Sequence, residues 1–256
     1  MLEVTGLSRA YGQGAAARLA ISDVTLTVAD GELLTIVGPS GCGKSTLLRC
    51  VGGLLAPTAG TVLLNGTPVT GVPDRLAVVF QDYSRSLYPW LSAGDNVALP
   101  LRRTMKSRAE RRDAAARALA AVGLAGERDR YPWQLSGGMQ QRVAIARALA
   151  CDPVLLLMDE PFGSVDAQTR EDLEDLLLTV RAARGITILL VTHDIDESVY
   201  AGDRVAVLTP APGRVRAVLP VTLPAPRDQT ATKELPEFVK LRAEVSRLVR
   251  ASHGPG

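Results

Sequence analysis

LLTIVGPSGCGKSTLLRCV, residues 33–51, decides the fold. Its opening LLTIV is an apolar run of strand length, and STLLRCV reads as the start of a helix. Between them, Gly38, Gly43, Lys44 and Ser45 satisfy the spacing G-x-x-x-x-G-K-[ST] in the strand–loop–helix context that the pattern requires. Glycines let a backbone wrap closely around phosphate oxygens. Lys44 would neutralise β- and γ-phosphates, and the Ser45 hydroxyl would ligate Mg²⁺. Pro39, Ser40, Gly41, Cys42 and Thr46 complete a nine-residue loop in which every position is a candidate nucleotide contact. The chain has only four lysines among 29 basic residues, so chance supplies Lys44 poorly. Cys42 is incidental or oxidation-sensitive.

Outward from this loop, short apolar runs alternate with helical patterns, which predicts an α/β core around a mostly parallel sheet. ELLTIVG (32–38), LAVVFQ (76–81), VLLLMDE (154–160), ITILLVTH (186–193) and RVAVLT (204–209) read as strands. EVTGL, AISDVTLTV and GTVLLNG alternate as a half-exposed antiparallel layer would. Strand ends are where ligands of open α/β sheets collect. VLLLMDE ends in two carboxylates whose side chains should point oppositely along a strand. Asp159 then holds the Mg²⁺ shell and Glu160 faces the attacking water as general base. Gln81 closes LAVVFQ and reaches Mg²⁺ or that water. His193 closes ITILLVTH and either contacts the γ-phosphate or is structural. Tyr11 stacks on a base or is an ordinary surface aromatic.

Residues 88–148 differ: they are rich in Ala and Arg, with helical periodicity at SRAERRDAAARALAAVGL. They predict a helical subdomain inserted in a core spanning about 1–210. Beyond Pro210, a proline-rich stretch and the amphipathic LPEFVKLRAEVSRLVR predict a C-terminal extension over 211–256. LRRTMKSRAERR (101–112) presents either a solvated helix face or a surface for an anionic partner.

Bulk properties limit the alternatives. A hydrophobic content of 46% supports a real core. No apolar run approaches the ~18 residues needed to span a bilayer. The N-terminus lacks a secretory pattern, so the expected location is the cytoplasmic face of a membrane, held there by a partner. Three cysteines show neither ligand spacing nor a disulfide framework. A net charge of +2 leaves no footprint for nucleic acid.

LSGGMQQRVAIARAL (135–149) supplies a second anion site, because Ser136, Gly137 and Gly138 open an amphipathic helix whose first amides face outward. With this stretch the chain resembles the ATP-binding subunits of ATP-binding cassette (ABC) transporters, over roughly residues 1–210. In order it presents Tyr11, GPSGCGKST, Gln81, LSGGM, LLLMDE, GSVD and His193. The resemblance implies a P-loop NTPase (RecA-like) core with an antiparallel β subdomain and an inserted α-helical subdomain. It implies Tyr11 against adenine, Gln81 as sensor of γ-phosphate and transport domain, His193 as switch, and Asp166 in a loop crossing a dimer interface. It further implies a head-to-tail homodimer in which Ser136, Gly137 and Gly138 of one copy cap the other's ATP. Ser164-Val165-Asp166 departs from the family's usual Leu at its middle position, a conservative change.

A single cassette implies an importer with separate integral membrane permease subunits and, indirectly, a solute-binding protein. FQDYSRSLYPWLSAGDNVALPL, HDIDESVYAGDRVAVLTPAPGRV and LPAPRDQTATKELPEFVKLRAEV resemble the nitrate/sulfonate/taurine branch. Thiamine-precursor importers and soluble assembly ATPases share much of the pattern. Residues 81–102 lie where the family docks a cytoplasmic helix of the permease. Tyr88, Pro89 and Trp90 belong to that groove or to the chain's own core.

Overall fold

The computed structural model describes residues 1–12, 14–81 and 86–251. Residues 82–85 of the expected docking stretch lie outside them. The chain divides into two units, one of Met1–Asp74 with Thr187–Gly256 and the other of Arg75–Ile186.

In the first unit, β3 (Leu33–Val37) lies between β8 (Thr187–Val191) and β9 (Arg204–Leu208), parallel to both, with Leu33 opposite Ile188 and Leu34 opposite Arg204. Every residue of β3 and β8 is buried, as expected of uninterrupted apolar runs in a parallel sheet. Thr35 is the polar exception in β3. Its hydroxyl donates to the carbonyls of Ser198 (3.0 Å) and Arg204 (3.2 Å), which removes the cost of burying it. The antiparallel layer also forms, in the order β2-β1-β4-β5 (Arg18–Val28, Leu2–Tyr11, Ala59–Leu64, Thr67–Pro68).

The stretch after Pro210 folds into this unit. β10 (Val215–Pro220) pairs antiparallel with β9 at the sheet edge, where a proline costs no ladder bond. The amphipathic tail helix, Pro236–Arg250, buries Phe238 and Val245 and packs on β9 and on α6 (Ile195–Ala201). Arg242 approaches Asp196 of α6 at 3.6 Å.

The second unit pairs β6 (Leu76–Val79) parallel with β7 (Leu155–Asp159). Among the described residues its α-helices are α2 (Ala93–Ala98), α3 (Arg108–Ala121), α4 (Gly137–Ala150) and α5 (Ala167–Arg184). Small buried residues, Ala114, Ala115 and Ala118 of α3 and Ala144 and Ala148 of α4, let these helices pack closely. Asn96, fully buried in α2, donates to the carbonyls of Tyr88, Leu91 and Ser92 and accepts from the Tyr88 amide. That network fixes the 88–92 turn. It leaves Tyr88 42% and Trp90 68% exposed, so the alternative that placed Tyr88, Pro89 and Trp90 in this chain's core is corrected. The reason is local: one satisfied asparagine takes the buried position, and the aromatics are turned outward. Among the described residues no helix is long and apolar enough to cross a membrane.

Candidate nucleotide site

The glycine-rich loop leaves β3 and enters α1 (Lys44–Val51) through Gly43, whose φ of 99° is open to glycine and strained for other residues. A Cβ there would lie 2.6 Å from both the Ala20 carbonyl oxygen and Ile21 Cγ2 of β2, so the backbone could not follow this path with any side chain. Helix α1 has no acidic residue in its first turn and carries Arg49 in its last, which leaves the positive end of its dipole at the loop. Lys44 is 6% exposed, and its ammonium donates to the carbonyls of Gly38 (2.9 Å) and Pro39 (3.2 Å). The lysine is thus folded along the loop it serves. Tyr11, at the end of β1, places its hydroxyl 3.3 Å from Thr46 Oγ1, while Arg9 lies over its ring at 5.2 Å. Its ring is 43% exposed and stands beside the first turn of α1.

Cys42 is buried, and burial pushes its thiol up, against the opposing pull of the Lys44 charge. A contact that sequence reasoning missed sits against the same residue. Gly213, in the turn between β9 and β10, packs so closely that a Cβ would come within 2.1 Å of the Cys42 carbonyl oxygen. The Gly213 amide donates to Ala20 O, and its carbonyl accepts from the Ser22 amide, both at 2.9 Å. The turn buttresses the phosphate loop from far along the chain. Gly213→Val should lower stability by about 1–3 kcal/mol, the usual cost of overpacking, and weaken ATP binding with it. Denaturant unfolding and nucleotide titration check this; a variant matching the parent in both would remove the buttress from the account.

His193 follows β8 and is exposed. Its neighbours are tied down: Thr192 Oγ1 donates to the buried Glu197 carboxylate and accepts from the Asp194 amide, each at 3.0 Å. Asp194 in turn caps α6, accepting from the amides of Asp196 and Glu197.

In the second unit, Asp159 ends β7 and is 7% exposed. The simple alternation expected for Asp159 and Glu160 does not hold. Glu160 has φ 45°, a left-handed conformation outside the strand, so a turn sets its direction. Non-glycine residues reach this region at a cost of about 1–3 kcal/mol, and such strain collects at functional positions. Gln81 Nε2 donates to Glu160 Oε2 at 3.1 Å, which brings these two predicted residues into contact. This also leaves the Gln81 amide oxygen as its remaining ligating atom.

Ser136 caps α4, its hydroxyl accepting from the Met139 amide at 3.3 Å. Gly137 and Gly138 form the first turn that follows. Gly138 lies against α5: a Cβ there would meet Thr169 Cγ2 at 2.3 Å, so the threonine side chain would have to shift. Asp166 caps α5, accepting from the Thr169 amide (3.0 Å) and hydroxyl (2.7 Å). The Thr169 amide, and then its hydroxyl, hold the Asp166 carboxyl below the usual carboxylate range. Thr169 is a second residue that sequence reasoning missed, although Asp-x-x-Thr ahead of a helix is a readable capping signal.

The donors expected to hold Mg²⁺ are the Ser45 hydroxyl, the Gln81 amide oxygen and the Asp159 carboxylate. All are hard oxygen ligands of the kind that ion takes.

Residues 21–163 match the family model for ABC transporters. The chain belongs to the ABC transporter family. Among relatives of this ABC chain, the taurine import ATP-binding protein of Chromobacterium violaceum is 48% identical over 233 residues, covering 90% of this chain and 88% of the relative. The aliphatic sulfonates import ATP-binding protein of Bacillus licheniformis is 44% identical over 237 residues, covering 93% and 89%. A dimeric structure of the ATP-binding cassette MJ0796, in a post-hydrolysis state bound to ADP and Pi, superposes with a TM-score of 0.75 at 34% identity. It covers 86% of this ABC chain and 99% of that one. The α/β cassette fold read from the motifs is therefore the fold of the chain.

Proposed function

We propose that this chain is the ATP-hydrolysing subunit of an ABC importer for a small oxyanionic solute of the taurine, sulfonate or nitrate class. The relatives named for taurine and sulfonate import support the solute class. The observation that carries the enzymatic reading is the hydrogen bond from Gln81 to Glu160, at the end of the strand that bears Asp159. It presents a carboxylate base together with an amide that can report on its surroundings.

ATP lies along Gly38–Thr46 with its base on Tyr11, and its β- and γ-phosphates take the Lys44 ammonium from the loop's own carbonyls. Glu160 Oε2 removes a proton from the attacking water, and His193 contacts the γ-phosphate. Ser45, Gln81 and Asp159 would hold Mg²⁺, which would supply neutralisation of phosphate charge. Two copies close head to tail, so that Ser136, Gly137 and Gly138 of one meet the nucleotide of the other, beside Asp166. ATP binding favours the closed pair and hydrolysis releases it, which couples nucleotide state to shape by differential affinity. The dimeric MJ0796 cassette supports this arrangement. The pair works at the cytoplasmic face of the membrane on integral permease subunits, supplied with solute by a binding protein. We further assign residues 1–210 to the ATPase domain, with the helical subdomain at about 88–148, and 211–256 to its C-terminal extension.

Ser136→Arg tests the composite site. It should abolish hydrolysis in the assembled transporter while the isolated chain still binds ATP. A phosphate-release assay that finds the variant active would sink the shared site.

A further inference from the structure

Beyond the Gly213 turn, the C-terminal extension packs on the helix that follows His193. That helix, α6, has seven residues, Ile195–Ala201. A helix so short holds no shape of its own in water, where even good helix formers need about 12–15 residues. Its place is set by what packs on it. The sheet takes one part: the Thr35 hydroxyl of β3 donates to the Ser198 carbonyl at 3.0 Å, and Val199 and Tyr200 are fully buried.

The extension reaches both ends of α6. At the C-terminal end, Arg227 Nη1 donates to the Tyr200 carbonyl, in the last turn, where a helix has no donors of its own to offer. Lys233 Nζ stands over the Tyr200 ring, 5.3 Å from its centroid. At the N-terminal end, Arg242 Nη1 lies 3.6 Å from the Asp196 carboxylate. The tail helix packs on α6 and buries Phe238. The turn that carries Arg227 and Lys233 is itself tied down. The Asp228 carboxylate accepts from the amides of Thr230 (3.0 Å) and Ala231 (2.7 Å), and the buried Thr232 hydroxyl accepts from the Asp228 amide at 2.9 Å. In turn, α6 holds the backbone around His193. Thr192 Oγ1 donates to Glu197, and Asp194 accepts from the amides of Asp196 and Glu197, so both neighbours of the exposed histidine are bonded to the first turn of α6.

We infer that Arg227, Lys233 and Arg242 are positioning residues for hydrolysis: the C-terminal extension grips α6 at both ends and thereby fixes where His193 meets the γ-phosphate. The inference rests on the γ-phosphate contact proposed for His193, and it gives the extension a part in turnover. A reacting group displaced by about 1 Å can slow a reaction by about 10²-fold, so a helix held loosely is enough to matter. The three basic residues act through α6 and the histidine, so they set the rate and leave nucleotide affinity to the phosphate loop.

Arg227→Met keeps the side-chain stem and removes the donor. In the assembled transporter it should lower kcat for ATP by about tenfold and leave KM within about twofold of the parent, the pattern of an interaction made only in the transition state. Arg227→Lys, which restores a cationic donor, should recover most of the loss. The decisive measurement is a double-mutant cycle with His193→Ala, read by single-turnover hydrolysis so that slow variants stay measurable. In that background Arg227→Met should change the rate by less than about twofold, because a residue that works through the histidine has nothing left to position. Circular dichroism confirms the fold. If Arg227→Met does not fold, Lys233→Met runs the same cycle with an expected loss of about threefold. An equal fold-loss in both backgrounds, or a raised KM with kcat unchanged, overturns the inference. The two levels separate at the histidine. If His193→Ala turns over ATP at the parent rate, the γ-phosphate contact fails and the inference with it. If His193→Ala is slow while Arg227→Met and Lys233→Met match the parent, the contact stands and the inference alone fails.

Discussion

Glu160→Gln should cut ATP turnover by about 10²–10⁴-fold, the contribution of a positioned general base, while leaving ATP binding intact. The substitution is nearly isosteric and keeps the residue type that the left-handed turn at φ 45° already tolerates. Gln81 Nε2 would still find an amide oxygen to donate to, so the local geometry survives and only the basic oxygen is lost. Binding energy from the phosphate loop then has no hydrolysis to dissipate it, and the ATP-bound pair should accumulate. Light scattering with and without Mg-ATP reads this directly: the variant should move from the mass of one chain to that of two. Turnover at the parent rate would remove Glu160 as the base. A slow variant that stays monomeric in ATP would keep the base and discard the isolated-chain sandwich. In that case the dimer needs its membrane subunits.

Lys44→Ala should lower ATP affinity by about 10²–10⁴-fold. The ammonium would make two charge-assisted hydrogen bonds to phosphate oxygens at roughly 1.5–3 kcal/mol each, and each 1.4 kcal/mol is a factor of ten in affinity. The hydrogen bonds from Lys44 to the carbonyls of Gly38 and Pro39 are given up when phosphate takes the ammonium, so their loss in the variant offsets part of this effect. Isothermal titration with a slowly hydrolysed ATP analogue checks the affinity, and a thermal melt separates loop damage from global unfolding. Affinity within a fewfold of the parent would exclude Lys44 from the phosphate site. This change acts on binding and Glu160→Gln on turnover, so the pair of variants separates the two functions.

Much of the site was legible because its parts are local. The phosphate loop needs a buried strand, glycines that can take left-handed angles and a helix start, all within 33–51. The helix start at Ser136 needs only the residues that follow it, whose amide at Met139 its hydroxyl caps. Parallel strands declare themselves by uninterrupted apolar runs, as β3, β7 and β8 do. Such signals are set by backbone sterics and hydrogen bonds between near neighbours, and the sequence by itself determined the cassette fold and its motif positions.

Tertiary structure alone decided the rest. Nothing local marks Gly213, and only the return of the β9–β10 turn onto Cys42 sets it against the phosphate loop. Glu160 read as the next residue of a strand until its backbone turned left-handed beside Gln81. Tyr88 and Trp90 are apolar enough for a core, yet the buried amide of Asn96 took that place and set them outside. Arg102, Arg108, Arg111 and Arg112 are close in sequence, but they line one pocket only because α2 and α3 pack side by side. In each case the deciding contact joins residues whose chemistry is unremarkable alone. Hydrophobic periodicity fixes which face of an element is buried, but not which loop another element brings against it.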